Sequence, residues 1–321
     1  MQKNILLIIL VLFTFSCKKE QNPLPLSVDY ISCFSTESRP IAIAVDKISG
    51  YIYVANHDPG INYYSMKIQK FSREGILIQT TADFETFDKG NYLSYTPVDI
   101  TIDNNQNLYV LVRPMDETGF CILQFDFVDT FKKEYDFSKI YGEMLPSALA
   151  FSNKHIYVTN GRILKIISIE SEQVFDIMLP FNEDNKITWP DIHTTDMAVD
   201  VEGIVYLTGQ ANFGNDSLGC HITKYNPSTN QRITTYSRGT GFMAAMLNNP
   251  GISLGSKENI YLATFYGMSL EVFNKNMEFI MCKEIRPVNN EDTFPIDVAT
   301  YNNSIYIVDN FNSLIYVYKE N

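Results

Sequence analysis

The chain of 321 residues is short of several things. It has one Trp, four His and five Cys. Charged residues make up 19% of it, below the quarter usual for soluble domains. Basic residues are scarcer than acidic ones, 25 against 37, and the formal net charge is −12. Each shortage excludes something. A nucleic-acid binder carries a basic excess to meet phosphates, so no nucleic-acid partner is expected. Five Cys with no Cys-x-x-Cys pair make neither a disulfide scaffold, a zinc knuckle nor a thioredoxin-like site. Cys33, Cys121, Cys220 and Cys282 each sit in a separate apolar run, where buried free thiols are expected rather than bridges. A disordered chain is rich in charge and poor in rings, whereas this one is 13% aromatic with 20 Tyr and 21 Phe.

Long apolar runs are also lacking, apart from residues 5–13. That run is too short to span a bilayer, and with Lys3 before it and small Ser16 after it has the form of a secretory signal. Ser16 directly before Cys17 resembles the lipobox of bacterial lipoproteins, although Thr14 and Phe15 depart from the family's preferred Leu and small residue. The resemblance implies cleavage before Cys17 and lipid on its thiol. Residues 1–16 then form the signal peptide. Residues 17–27, with Lys18, Lys19, Glu20, Gln21, Asn22 and Pro23, form a polar tether. Two or more acyl chains hold a protein at a membrane where one holds marginally. Lys18 is not the Asp that resembles an inner-membrane retention signal, so the outer membrane of the cell envelope is the expected address.

What the sequence has is a repeat. An apolar residue, a Tyr and a second apolar residue recur around Tyr53, Tyr109, Tyr157, Tyr206, Tyr261 and Tyr306, spaced 45 to 56 residues apart. A second phrase precedes each, opened by Pro40, Pro97, Pro146, Thr194, Pro250 and Pro295. A Pro suits the first position of a strand, where a missing N–H costs least. Polar turn residues between the two phrases read as a hairpin. Third strands are expected at 66–71, 121–127, 163–169, 221–225, 270–273 and 314–318. Fourth strands are expected at 75–79, 131–135, 173–178, 232–236 and 278–282. Four antiparallel strands per unit of about 50 residues is the pattern of a propeller blade. Residues 28–321 thus read as an all-β, six-bladed β-propeller of four-stranded antiparallel blades. The sixth repeat ends after its third strand, and the orphan strand at 28–34 is expected to complete it and close the ring.

These phrases resemble the NHL repeat and the wider six-bladed, TolB-like propeller family, most closely at Pro295-Ile296-Asp297-Val298-Ala299 and Ile305-Tyr306-Ile307-Val308-Asp309-Asn310. They depart from NHL in lacking Gly after the Pro everywhere but Pro250-Gly251. The resemblance implies that ligands meet the face formed by the loops entering the inner strands and the loops joining second to third strands. Arg39, His57, Arg113, Trp189, His193 and Arg238 are the candidate ligand-binding residues there. Asn56, Asn160, Phe294, Asp309 and Asn312 share that face.

One pattern crosses the blades. The second residue after the opening residue is Ala42, Asp99, Ala148, Asp196, Ile252 and Asp297, so Asp occupies blades two, four and six. Asp99, Asp196 and Asp297 around a narrow channel could hold a divalent cation such as calcium through oxygen ligands, or could bind the backbone of neighbouring loops. Asp103-Asn104-Asn105-Gln106-Asn107 has calcium-loop spacing without the Gly and the closing Glu, and lies where every other repeat has a hairpin turn. No Ser-His-Asp order, nucleophile elbow or phosphate loop is present. The sequence therefore reads as a lipid-anchored binding or scaffolding module for a protein, peptide or glycan, without a catalytic signature. The alternative is a metal-dependent lactonase- or lyase-like enzyme with its site at the central channel.

Overall fold

Each apolar–Tyr–apolar phrase is the second strand of a sheet, with its ring buried against a neighbouring sheet. All six of these Tyr are buried. The computed structural model describes residues 26–58, 65–81, 95–114, 120–126, 130–136, 146–160, 163–179, 194–212, 218–236, 250–264, 268–285 and 293–321. The first strand is β1 (Val28–Ser35). Blade one is β2 (Arg39–Val45), β3 (Ile52–Asp58), β4 (Ser65–Phe71) and β5 (Leu77–Thr81). Blade two is β6 (Tyr95–Ile102), β7 (Leu108–Pro114), β8 (Cys121–Phe125) and β9 (Phe131–Asp136). Blade three is β10 (Ala148–Ser152), β11 (His155–Thr159), β12 (Ile163–Ser168) and β13 (Val174–Met178). Blade four is β14 (Thr194–Val199), β15 (Val205–Asn212), β16 (Leu218–Asn226) and β17 (Gln231–Tyr236). Blade five is β18 (Gly251–Leu254), β19 (Ile260–Thr264), β20 (Ser269–Phe273) and β21 (Phe279–Glu284). Blade six is β22 (Pro295–Tyr301), β23 (Ser304–Asp309) and β24 (Leu314–Glu320), completed by β1.

Six separate four-stranded antiparallel sheets result, and among the described residues there is no helix. The inner strands β2, β6, β10, β14, β18 and β22 neighbour one another in a closed ring. β1 runs antiparallel to β24, from Val28 opposite Glu320 to Ser35 opposite Leu314. Two ends of the chain so share one sheet, and the free edge of β24 is covered.

The core is distributed. Six apolar clusters each join two consecutive blades, the last joining blade six to blade one through Val308, Ile315, Val54 and Phe71. Sheets stacked face to face explain the low charge content, since strands buried on both faces read as continuous apolar runs. At the closing seam Phe34 of β1 packs on Phe71 of β4, with centroids 4.9 Å apart. A Cβ on Gly75 would stand 2.3 Å from the Phe34 ring, and its φ of 83° is left-handed, so both space and conformation require Gly there.

The inner hairpin turns are tied by Asp side chains at one end of the ring. Asp103 accepts the N–H groups of Asn105 and Asn107 at 2.8 Å each, the Asn107 amide at 2.8 Å and the Tyr109 hydroxyl at 3.0 Å. Asp103–Asn107 is thus a hairpin turn whose carboxylate already serves four donors. Asp200 holds the N–H groups of Glu202 and Ile204, both at 2.9 Å, in the same way. The fourth strand of blade one starts two residues later than the pattern suggests. Residues 72–76 form a turn closed by Gly75 N–H on the Ser72 carbonyl, 2.9 Å.

Candidate functional site

The other end of the ring carries the loop face. There β2 and β3 place Arg39 opposite His57 as cross-strand partners, Arg39 exposed and His57 half-buried. Arg113 lies at the same end of blade two, opposite Thr96. Trp189, His193 and Arg238 lie outside the described residues, as does Cys17.

Three residues read as available on this face are buried and make structural hydrogen bonds, although Asn56 Oδ1 has no partner among the described residues. Asn56, Asn160 and Asp309 each stand three residues after the repeated Tyr, and all three are buried. The Asn56 amide donates to the Val54 carbonyl and to Gln69 Oε1, both at 3.1 Å. Asn160 Oδ1 accepts the Ile163 N–H at 2.9 Å. Asp309 is 0% exposed and ties the β23–β24 turn. Its Oδ1 accepts the N–H groups of Phe294 (3.2 Å), Phe311 (3.1 Å) and Asn312 (3.1 Å). Its Oδ2 accepts the Asn312 amide at 2.8 Å and the Tyr316 hydroxyl at 3.4 Å.

This turn presents a ring. Phe311 is 58% exposed and packs on Phe294, with centroids 4.8 Å apart and planes tilted by 32°. The turn is pinned to blade one by the Asn310 amide on the Pro40 carbonyl, 2.8 Å, and to the end of β1 by Thr36 N–H on the Ser313 carbonyl, 2.9 Å. Arg39 directly precedes Pro40, so an exposed ring and an exposed guanidinium flank the seam between blades six and one. Phe311 carries no signal of its own in the sequence. The Asp309-to-Asn312 spacing, an Asx turn exposing the residue between, is what could have found it.

The three channel carboxylates sit at one level of the inner strands. In β2, β6, β14 and β22 a bulge precedes this level. Such an extra residue re-aims the next side chain. Asp99 accepts the N–H of Ile100 at 2.7 Å and that of Leu149, in the next blade, at 2.6 Å. Asp196 accepts Met197 N–H and Ile252 N–H, both at 2.6 Å. Asp297 accepts Val298 N–H and Ile43 N–H, both at 2.7 Å. Six inner-strand amides thus meet six carboxylate oxygens, one each.

The residues opposite need correcting in blade five. Gly251 pairs with Ala263, two residues past Tyr261, just as Ala42 and Ala148 pair two residues past Tyr53 and Tyr157. The blade-five member of the level is therefore Gly251, not Ile252, because blade five lacks the extra residue that counting from the Pro assumes. The level reads Ala42, Asp99, Ala148, Asp196, Gly251, Asp297, small and acidic in strict alternation. A Cβ on Gly251 would stand 2.3 Å from the Asp297 Cα.

The environment pushes all three carboxyls toward the neutral form. Burial raises Asp99 and Asp297 well above the usual carboxylate range, and the other acids of the trio add to it. Burial also raises Asp196, to about 7, opposed by the Ile252 and Met197 N–H groups and by a hydrogen bond with Asp297. Asp196 keeps more exposed surface than its two counterparts. A cation at the trio would share each oxygen with an inner-strand amide. Among the described residues no group of three or more His, Cys, Asp or Glu is arranged to hold a metal ion.

Comparison with known proteins bears on the fold. No family model matches the chain, and no curated protein matches it. The chain is similar in structure to virginiamycin B lyase from Staphylococcus aureus, with a TM-score of 0.57 at 11% identity over 92% of this chain and 99% of that one. A catalytically inactive histidine variant of that lyase with quinupristin matches equally, with the same score, identity and coverage. Raptor from Chaetomium thermophilum matches with a TM-score of 0.52 at 11% identity, over 91% of this chain and 29% of that one. At such identity the likeness is one of fold, and it agrees with the six-bladed ring.

Proposed function

We propose that the protein is a lipid-anchored cell-envelope propeller of the NHL-like or TolB-like kind that binds a protein, peptide or glycan on its loop face. The observation that carries the reading is the exposed Phe311 ring, fixed on Phe294 by a buried, five-fold satisfied Asp309 beside Arg39. A rigid exposed aromatic is a low-entropy anchor for a partner, and Arg beside it adds directed hydrogen bonding. Arg113, His57, Trp189, His193 and Arg238 complete the proposed face. The anchor is lipid on Cys17 at the outer membrane; an acidic body is repelled by anionic lipid and gains from such a tether.

A photo-crosslinking residue at position 311, in cells that make the protein, tests the binding face. A discrete adduct is expected there and none with the same residue at Val201, an exposed position on the hairpin end. Equal adducts at both positions, or none at 311, would remove the reading. Cys17→Ala is expected to release the protein from membranes, and continued attachment would refute lipidation.

Convergence of Asp99, Asp196 and Asp297 at the channel keeps a second reading, a metal-dependent lactonase- or lyase-like site holding a divalent cation such as calcium. A lyase among the structural neighbours favours it by fold alone. A stoichiometric divalent ion in purified protein, lost when all three Asp become Asn, would support it. Metal-free protein with a calcium-independent melting temperature would dismiss it.

A further inference from the structure

Each blade ends at the rim in an outer strand whose second edge pairs with no strand among the described residues. Proteins guard such edges with charged side chains. Here β9 carries Lys132, Lys133 and Glu134, β17 carries Arg232, β21 carries Lys283 and Glu284, and β1 carries Asp29. β13 exposes Val174, Phe175 and Met178, but Asp176 stands in its middle, held by Lys165 at 2.6 Å. β5 has no charge at all. Ile76, Leu77 and Ile78 are exposed in succession at its start. Exposure continues through Gln79 and Thr80 without alternation, so both faces of this strand are open, where β21 alternates half-buried with exposed.

Beside β5 a cavity of about 740 Å³ opens between blades six and one. Phe34, Phe71, Leu77 and Leu314 wall it, and Gln69 and Glu37 line it with them. Gln69 is buried, and its orientation is fixed. Its Oε1 accepts the Glu37 N–H and the Asn56 amide, both at 3.1 Å. A backbone N–H only donates, so the Gln69 oxygen must face Glu37 and the NH2 group must point elsewhere. That NH2 meets no acceptor among the described residues and is left to whatever fills the cavity.

We propose that an extended peptide segment of another protein docks here by adding a strand to the β5 edge. An open strand edge matches main-chain N–H and C=O groups, which neither a glycan nor a lipid repeats. Apolar side chains at alternate positions enter the cavity against Phe34, Phe71 and Leu314, and a peptide carbonyl accepts from Gln69. Charge selects the sequence. An uncharged strand calls for an uncharged peptide centre, since a charge laid on it loses water without gaining a partner. Exposed Glu37, whose ion pair with Lys67 is long at 3.7 Å, and a net charge of −12 favour Lys or Arg at the ends. The rim site stands whatever binds beside Phe311.

Panning a phage library of random peptides of about nine residues, a strand with its flanks, against the full folded chain tests it. Enriched peptides should alternate apolar and polar residues at the centre and carry Lys or Arg at an end. The double variant Leu77→Lys, Ile78→Lys, at two exposed positions, should weaken an enriched peptide about tenfold or more. Phe311→Ala should leave it unchanged. N-methylation of one set of alternate peptide nitrogens should abolish binding, and of the other set should not, because only one set faces β5. No enrichment, enrichment of acidic peptides, indifference to the double variant, or tolerance of methylation in either set would overturn the proposal. If the double variant fails to fold, Thr80→Lys replaces it, with the same two outcomes.

Discussion

Raising the pH from 5 to 8.5 should destabilise the fold through its channel carboxyls. Asp99, Asp196 and Asp297 are all raised in the folded state, chiefly by burial. A group raised on folding holds its proton more tightly in the native state than in the unfolded one. Its stabilisation is complete below the unfolded value of 3.8 and is lost as the pH climbs through the folded value. For Asp196 that interval runs from 3.8 to about 7. The part of that interval crossed above pH 5, about two units, corresponds to about 2.7 kcal/mol, and solvent at the partly exposed Asp196 reduces it to about 1 kcal/mol. For a body of this size that is a fall of about 2–4 °C in melting temperature. Asp46 acts in the opposite sense. Burial pushes it up, but the Ser49 and Gln106 side chains and the N–H groups of Ile48 and Ser49 outweigh that and hold it below 3.8. Its contribution disappears only in stronger acid, outside the window. The assay is melting temperature against pH for wild type and Asp196→Asn. A wild-type slope downward toward pH 8.5, flattened in the variant, is expected. A flat or rising wild-type profile, or an identical slope in the variant, would refute the reasoning.

Further outcomes follow from the same contacts. Gly251→Ala drives a Cβ into the Asp297 backbone and should cost about 1–3 kcal/mol in urea unfolding; an unchanged midpoint would deny the close approach. Asp309→Ala strands five donors, including the buried Tyr316 hydroxyl, and should cost about 2–4 kcal/mol. Asp309→Asn should cost less, and equal losses would mean that the acceptor role is misassigned. Deleting residues 26–35 uncovers the β24 edge and removes Phe34 from Phe71. Gel filtration should then show aggregate in place of monomer, and a folded monomer would mean that β1 is dispensable.

The architecture was legible because the repeated Tyr performs the same task six times, buried in the second strand of each sheet. The closing strand was legible too, since the last repeat lacked its fourth strand. The channel level was only partly so. Asp99, Asp196 and Asp297 stand out by alternation, but counting from Pro250 selects Ile252, because a bulge in one blade and its absence in another leave no mark in composition. Asn56, Asn160 and Asp309 illustrate a second limit. Polar residues at a strand end look equally suited to a ligand or to a turn, and only the donors around them decide. Phe311 was invisible for the converse reason, as one exposed ring in a chain with 21 Phe.

The closed ring, and with it the loop face around Phe311, depends on β1 completing blade six beside β24. The most direct test is the double variant Asp29→Cys, Lys319→Cys, since these residues are register partners in β1 and β24. Oxidation should yield an intramolecular bridge, seen by mass spectrometry as linked peptides from residues 29 and 319 in a monomer of native circular dichroism. Free thiols at both positions, or links only between molecules, would contradict the closed ring.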